Sequence, residues 1–327
     1  MPLRLLPWTP EYGTSMQFDA GDPDDSGVEL DATVECPQWA AVDPDGHPPE
    51  SLQIVDGVRR TEAHALDDGP DGAPLFALFG SLAVGVVRCE DGVATVLAEH
   101  LRVERRCLQS GGDPLDREVP AGKTVLQFRA ETPAGATTAN ALVDALNRTM
   151  LDEEAKLAEE LSRDESALTL VDGPLRNLRA PGHRVVGYVK RIHNWYIDGE
   201  RLRLLPRLAT GQRTPIVRLT GADGRERHSW FLRLADLGDR YHPLGGLLRL
   251  EAPGELPLQE AVALADQSSL ALPPLASSPL RDPRAPQNLT PVGGLEHELR
   301  RRIGNPLWIR RLLAAALARE WKTTEAA

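Results

Sequence analysis

Two short apolar runs in this sequence end in the same tripeptide, Val-Asp-Gly. Residues 52–55 lead into Asp56, residues 167–171 lead into Asp172, and a glycine follows each aspartate. Aliphatic and β-branched runs of this length are typical of buried strands, and Asp-Gly is typical of a turn. We therefore predict two strands that each end on an aspartate. Taken singly, each Asp-Gly indicates only a turn. Because the same pattern occurs twice, 116 residues apart, we place both strands in one sheet, with their carboxylates within reach of one divalent cation.

The spacing of apolar residues predicts the remaining elements. Alternating and continuous apolar runs predict further strands at 28–34, 75–88, 92–98, 102–108, 184–190, 216–220, 229–234 and 247–251. Apolar residues three, four and seven positions apart predict a long amphipathic helix over 138–161. Shorter helices are predicted at 256–266, 293–303 and 306–321. A strand, an antiparallel meander, a helix, a strand and then mixed elements together predict an α/β fold with a mixed sheet flanked by helices.

The charge is divided unevenly along the chain. The net charge of the 327 residues is −11, but residues 1–175 carry −20 and residues 176–327 carry +9. Almost all bases of the second half are arginines, which bind phosphate with a bidentate fork. A basic face on an acidic protein is therefore compatible with a nucleic-acid partner, and the alternative is that these arginines are solvated or form internal ion pairs. Residues 1–50 are rich in Asp, Pro and Gly and predict an irregular acidic extension.

Composition excludes several other classes of protein. The three cysteines lie far apart without a Cys-x-x-Cys pair, which indicates neither a disulfide framework nor a zinc site. No run approaches the roughly 18 apolar residues of a membrane span, and residues 1–10 do not read as a signal peptide. We therefore expect a cytoplasmic protein without a membrane partner. The sequence also lacks a Gly-x-x-x-x-Gly-Lys phosphate loop, a Gly-x-Ser-x-Gly elbow and a His-Glu-x-x-His zinc motif.

The helix predicted over 138–161 carries acids beside its apolar stripe. Glu153 and Glu154 fall where the stripe continues between Met150 and Leu157. A core-facing carboxylate is costly unless it is paired or binds a metal, and the alternative is a solvated flank of the helix. Two strand-end aspartates and one helical glutamate form the acidic trio used by two-metal phosphoryl-transfer nucleases. Carboxylate oxygens suit Mg²⁺ or Mn²⁺, and two such ions stabilise the attacking and leaving oxygens of a phosphodiester.

The order of these motifs resembles the NurA family of DNA-repair nucleases over roughly residues 50–310. The segments that carry the resemblance are 54–57, the helix 139–162, 169–175, 186–190, 231–234 and 248–251. This resemblance implies an RNase H-like core with extra β elements and C-terminal helices, and it makes residues 51–321 a NurA-like nuclease domain. It further implies Mn²⁺- or Mg²⁺-dependent DNA end resection with two metal ions. A homodimer working with a hexameric HerA-type ATPase is implied as well.

The resemblance assigns roles to individual residues. Asp56 and Asp172 match the two strand-end aspartates, and Glu154 is preferred to Glu153 because an alanine follows it four residues later. Lys190 matches a lysine that contacts the scissile phosphate, although a surface lysine at a strand end is the alternative. The arginines expected to bind DNA are Arg59, Arg60 and Arg176, with ordinary exposed loop arginines as the alternative.

The sequence departs from the family near its C-terminal end. The family shows a Tyr-Pro segment followed by a helical His, whereas this chain has Asn288 to Pro291 and then Gly294 to His297. We take Glu296 as the ligand that completes the metal site, with His297 and Asn288 as the other candidates. Because the second metal site depends on this choice, a second function stays open, that of a catalytically weak NurA-like adaptor that binds DNA and the ATPase.

Overall fold

Strands dominate the fold. A computed structural model of the chain describes residues 4–5, 27–68, 72–175, 178, 180, 182–190, 192, 194–238, 242–278 and 286–325. The strands are β1 (Arg4–Leu5), β2 (Glu29–Asp31), β3 (Ser51–Asp68), β4 (Pro74–Glu90), β5 (Val93–Val96), β6 (Arg102–Gln109), β7 (Arg117–Ala121), β8 (Thr124–Glu131), β9 (Ala167–Asp172), β10 (Val185–Val189), β11 (Val217–Thr220), β12 (Glu226–Arg233) and β13 (Leu247–Pro253). The helices are α1 (Ala139–Leu161), α2 (Gly199–Leu202), α3 (Leu258–Ala271), α4 (Thr290–Ile303) and α5 (Pro306–Glu325).

The described strands form one 13-stranded mixed sheet. Its order is β2-β11-β12-β13-β10-β9-β3-β4-β6-β8-β7, with β1 beside β3 and β5 beside β4. At its centre β3, β9 and β10 run parallel, whereas β4 and β6 continue from β3 as an antiparallel meander. The helix α1 connects this meander to β9. The predicted α/β class with a mixed sheet is therefore confirmed.

Helices cover both faces of the central strands. Thr138 caps α1 by accepting a hydrogen bond from the Ala141 amide, and the Leu142 and Leu146 side chains of α1 are fully buried. The helix α4 packs on the opposite face through Val292, Leu295, Leu299 and Ile303, which join the largest apolar cluster of the core. Since buried apolar area is the main stabilising contribution, α1 and α4 are fixed against the sheet by these residues.

Every predicted strand and helix overlaps an observed one, but the predicted end of the first strand was wrong. The first strand does not end at Asp56, because β3 continues to Asp68 and pairs with β4 over almost its whole length. The short strands β7 and β8 were not predicted. Arg117–Glu131 contains Pro120 and Gly122 and buries only part of its side chains, so its apolar pattern is weak.

The described part of the N-terminal region is attached to the sheet. The strand β2 pairs with β11, and the Glu35 carboxylate accepts two hydrogen bonds of 2.9 Å from the buried Arg213 guanidinium. Residues 1–3 and 6–26, which belong to the predicted acidic extension, lie outside the described residues. Among the residues that are described, no helix is long and apolar enough to cross a membrane.

Candidate metal centre

The parallel pairing of β3 and β9 brings the two predicted aspartates together. Val55 is in register with Val171, and the next residue on each strand is Asp56 or Asp172. The strand β9 ends at Asp172, and Gly173 follows with a φ of +90°, a value that glycine adopts without strain. The prediction of a strand that ends on Asp-Gly is therefore confirmed for Asp172. At Asp56 it is wrong, since Gly57 stays in the strand and pairs with Val84 of β4.

The end of β9 leaves one edge of β3 open at the site. Beyond Val55, β3 has no β9 partner, so the amide of Gly57 lies at this open edge. Burial raises the pKa values of both the Asp56 and the Glu154 carboxyl, and a hydrogen bond from the Gly57 backbone opposes this rise. The local end of one strand therefore provides a backbone donor for two acids.

Glu154 reaches the site from α1 because Gly57 has no side chain. A Cβ atom built on Gly57 would overlap the Glu154 Oε1 atom and would lie 3.1 Å from Met150 Cγ. Glu154 is 4% exposed, so its carboxylate is enclosed between α1 and β3. Glu153 is also buried, but its Oε1 atom lies 2.5 Å from the Lys156 ammonium. Of the two helical candidates, Glu154 is therefore the one that contacts the strand carrying Asp56.

Glu296 approaches from the opposite face of the sheet on α4. Gly85, the β4 partner of Asp56, leaves room for this helix, since a Cβ there would lie 3.2 Å from Leu299 and 3.3 Å from Leu295. Glu296 is buried, its charge contributes to raising the pKa of Asp56, and its Oε2 atom accepts a hydrogen bond of 2.9 Å from Arg300. The alternative candidate His297 is exposed. Asn288 is buried just before α4.

Lys190 supplies positive charge at the end of β10. Its Nζ atom lies 2.7 Å from Asp172 Oδ2 and 5.1 Å from the centroid of the Tyr188 ring. The Tyr188 hydroxyl donates a hydrogen bond to the Gln287 carbonyl, which connects β10 to the segment that leads into α4. Lys190 is therefore part of the acid cluster rather than a solvated lysine at a strand end.

Burial and neighbouring negative charges disfavour the ionised forms of Asp56 and Glu154. Burial, followed by the charge of Asp172, raises the pKa of Asp56 to about 7 from 3.8, although Lys190 opposes this shift. Burial and the charges of Asp56 and Asp172 raise the pKa of Glu154 well above its usual value. Within the described residues, the buried Asp56 Oδ2 atom has no hydrogen-bond partner. A buried carboxylate oxygen without a donor is costly, which is the condition that a bound cation would relieve.

The three predicted DNA-binding arginines fare differently. Arg59 is exposed on the α1 side and its Nε donates a hydrogen bond of 2.8 Å to Asn147. Arg60 is not a loop arginine. It lies within β3, its Nη2 is 2.7 Å from Glu62 Oε1, and its Nη1 donates to the Gly304 carbonyl at 2.9 Å. Arg176 lies outside the described residues.

The donor chemistry of this cluster fits a divalent metal, but the side chains do not converge on one point. Among the described residues, no group of three His, Cys, Asp or Glu side chains is arranged to hold an ion. The Lys190 ammonium forms an ion pair with the Asp172 carboxylate, and the Arg300 guanidinium forms one with the Glu296 carboxylate. Only carboxylate oxygens are offered, which suits Mg²⁺ or Mn²⁺ rather than a thiolate-bound metal. Among the described carboxylate oxygens of the cluster, Asp56 Oδ2 is buried without a hydrogen-bond partner.

Comparison with known proteins adds no name to this site. The chain matches no protein-family model. No curated protein matches it either. The NurA resemblance therefore depends on the order of the motifs and on the residues that they bring together.

Sequence reasoning missed two features of the site. The first is Gly57, which was taken as a turn residue and in fact makes room for Glu154. The second is Tyr188, which packs beside Lys190 and holds the segment before α4. Both are strand residues with ordinary sequence neighbours. Their roles follow only from the positions of α1 and α4 on the two faces of the sheet.

Proposed function

We propose that this protein is a divalent-metal-dependent deoxyribonuclease that hydrolyses phosphodiester bonds in DNA. The observation that carries the proposal is a cluster with more negative than positive charge, in which the buried Asp56 and Glu154 lie near the partly exposed Asp172. Such an excess of buried carboxylates is typical of sites that bind cations. Asp56, Glu154 and Asp172 are the proposed ligands of Mn²⁺ or Mg²⁺, and Glu296 is the proposed additional ligand for a second ion.

The arrangement of the strands supports the finer assignment to an RNase H-like core. Three antiparallel strands, β3, β4 and β6, precede the crossover helix α1, and β9 and β10 then extend the sheet in parallel from β3. In this assignment Asp56 lies on the first core strand and Asp172 at the end of the fourth. The placement of both acids at one open edge agrees with the rule that ligands bind at the carboxyl ends of parallel strands.

The residues of the chain divide the work of the proposed reaction. Bound metal ions would lower the pKa of a water molecule and stabilise the attacking and leaving oxygens. Lys190 would leave the Asp172 carboxylate and bind the scissile phosphate instead, since its ammonium lies at the exposed side of the cluster. Arg59 on one side would hold the DNA backbone. We extend the proposal to a cytoplasmic homodimer that acts on DNA delivered by a HerA-type hexameric ATPase, which the resemblance implies.

Cleavage of labelled linear DNA in the presence of Mn²⁺ tests the proposal. We expect metal-dependent loss of DNA with the wild-type protein and at least about a 100-fold slower loss with Asp172→Asn, since even partners of metal ligands contribute 10–100-fold. Asp113→Asn, at an exposed position, is the matched control and keeps full activity. Equal rates for Asp172→Asn and the wild type would refute the nuclease. The assay is run with and without a HerA-type ATPase, because delivery of DNA by the ATPase is part of the proposal.

One observation favours the alternative function of a DNA-binding adaptor. Lys190 and Arg300 already pair with Asp172 and Glu296, which balances part of the charge without a metal. An adaptor would bind DNA and the ATPase with no Mn²⁺-dependent cleavage in either assay. Retained DNA binding by a protein that shows no cleavage under both conditions would select this alternative.

A further inference from the structure

A buried glutamate lies six residues beyond Asp56 on the same strand. The pairing of β3 with β4 shifts between Thr61, opposite Gly80, and Ala63, opposite Phe79, so Glu62 is the extra residue of a β-bulge. Its side chain is fully buried. A bulge changes the direction of a side chain, and a buried carboxylate is tolerated only when it is paired and hydrogen-bonded. The position of Glu62 therefore calls for a structural or functional reason.

Two arginines balance Glu62: Arg60 comes from the same strand, and Arg105 comes from β6, two strands away in the sheet. Arg60 binds it through Nη2 to Oε1 at 2.7 Å and through Nε to Oε2 at 3.1 Å. Arg105 of β6 lies with its Nη1 atom 4.0 Å from Oε1 and donates to Ser81 Oγ at 2.5 Å. The carboxylate therefore holds Arg60 with two hydrogen bonds, and its negative charge lies 4.0 Å from the guanidinium of Arg105.

Both guanidinium groups extend from Glu62 to the C-terminal end of α4. Arg60 Nη1 donates to the Gly304 carbonyl at 2.9 Å, and Arg105 Nη2 donates to the Ile303 carbonyl at 2.8 Å. Gly304 ends the helix with a φ of +96°. The last carbonyls of a helix lack intrahelical partners and carry partial negative charge, so two cations there are well placed. We call Glu62, Arg60 and Arg105 the α4 clamp.

The α4 clamp acts on the helix that carries Glu296. Ile303 lies seven residues after Glu296, which corresponds to roughly 10 Å along a helix. The apolar side chains of α4 set its distance from the sheet, but apolar contacts are not directional. The two hydrogen bonds at its C-terminal end have fixed partners on β3 and β6 and therefore define the position of α4 along its axis.

We propose that Glu62 is a positioning residue for the metal centre, because through Arg60 and Arg105 it fixes α4 and thereby places Glu296 opposite Asp56. This inference rests on the proposed function, since it takes Glu296 as a metal ligand. Asp56 and Glu62 belong to one continuous strand, so the same backbone carries one ligand and the anchor of another. Glu62 itself does not contact the metal.

The test compares Glu62→Gln with the wild-type protein. Mn²⁺ is titrated into the full chain without DNA, and calorimetry measures the affinity. Glutamine keeps the size of the side chain but removes the negative charge that pairs with Arg60 and lies beside Arg105. We expect a 10–100-fold weaker Mn²⁺ affinity, as for other partners of metal ligands. In a Glu296→Gln background, Glu62→Gln is expected to cause no further loss, because it acts through Glu296. Gly80→Ala, which would place a Cβ 2.5 Å from Leu146 on α1, is the control for destabilisation away from α4.

Hydrogen exchange of the α4 amides provides the second measurement. We expect faster exchange in the last turn of α4 in Glu62→Gln and unchanged exchange there in Gly80→Ala. Faster exchange with unchanged Mn²⁺ affinity would overturn the positioning role, and so would an equal loss of affinity with and without Glu296. A wild-type protein that binds no Mn²⁺ would instead refute the metal centre, and with it the positioning role, so the two failures are distinguishable.

Discussion

Two groups of buried acids in the same sheet differ in how their charge is balanced. On β13, the fully buried Glu251 carboxylate lies 3.3 Å from Arg249 Nη2 and 3.6 Å from Arg227 Nη1. It also accepts a hydrogen bond of 3.1 Å from the Leu175 amide. Here two arginines and one backbone donor serve a single carboxylate. We call this group the Glu251 network.

The cluster around Asp56 has the opposite balance. Four carboxylates, those of Asp56, Glu154, Asp172 and Glu296, are accompanied by Lys190 and Arg300. Burial, together with the charges of neighbouring acids, raises the pKa values of Asp56 and Glu154, whereas two arginines of the chain neutralise Glu251. The comparison indicates that the Glu251 network stabilises the fold, and that the Asp56 cluster is kept at a cost to stability for the sake of function.

The largest effect on stability is expected from breaking the Glu251 network. Glu251→Ala leaves Arg249 and Arg227 buried without a counter-charge, and the loss of one partner of a buried pair destabilises by about 3–5 kcal/mol. Urea unfolding measures the free energy of unfolding. Glu226→Gln on the neighbouring strand removes an ion pair that is 3.8 Å long and largely exposed, so it is expected to cost under about 1 kcal/mol. A similar loss for both variants would contradict the comparison.

Asp56→Asn is expected to act in the other direction. The folded-state pKa of Asp56, about 7, exceeds 3.8, so the folded state favours the protonated form. Its contribution to stability is full below pH 3.8 and is lost as the pH rises to about 7. Above that pH, asparagine is expected to stabilise the metal-free protein by about 1–4 kcal/mol, since one pKa unit corresponds to about 1.4 kcal/mol.

Thermal unfolding in EDTA between about pH 4 and pH 8 measures this effect. The gain of Asp56→Asn over wild type grows between pH 4 and pH 7 and then levels off. Asp113→Asn is exposed and serves as the matched control without such a trend. A pH-independent difference, or a loss of stability above pH 7, would show that the folded state does not disfavour the ionised Asp56 carboxylate.

The elements of the core were predictable from the sequence because a strong periodic pattern of apolar residues indicates a helix or a strand whatever its tertiary contacts are. The stripe of α1 and the apolar runs of β4 and β9 are of this kind. The same patterns indicated Asp56 and Asp172 as candidate acids and left Glu153 and Glu154 open, and the family resemblance then selected Glu154. The sequence alone did not show that β3 continues past Asp56, because pairing with β4 decides whether Asp-Gly turns or stays extended.

Other residues depend on long-range packing and were not predictable. Arg60 was expected to bind phosphate, but its guanidinium group forms hydrogen bonds with Glu62 at the bulge and with the Gly304 carbonyl at the end of α4. Glu251 carries no local signal of its network, because Arg227 lies on another strand and Leu175 is 76 residues away. Local patterns therefore indicate the candidate acids, whereas the groups that balance or orient these acids follow from the fold.

A matched pair of glycine substitutions separates function from packing on α1. Gly57→Ala forces a methyl group into Glu154 and Gly80→Ala forces one into Leu146, both beneath the same helix. We expect both variants to lose about 1–3 kcal/mol of stability through overpacking. Only Gly57→Ala is expected to weaken Mn²⁺ binding, by about tenfold or more, because it displaces a carboxylate. Calorimetric titration measures the affinity, and equal Mn²⁺ affinities of the two variants would remove Glu154 from the site.

The smallest effect is expected from the exposed arginines of α4. Arg300 pairs with Glu296 at 2.9 Å and Arg301 pairs with Glu298 at 2.6 Å, and both guanidinium groups are largely exposed. Ion pairs this exposed contribute little to stability, so neither alanine variant is expected to change stability appreciably. Arg300→Ala removes a positive charge beside Glu296 and makes the Asp56 cluster more negative. We therefore expect a severalfold tighter Mn²⁺ affinity for Arg300→Ala and an unchanged affinity for Arg301→Ala, whose partner Glu298 is not among the charges that shift the pKa of Asp56. Tighter binding in both variants would mean that general surface charge, rather than the charge beside Glu296, sets the affinity.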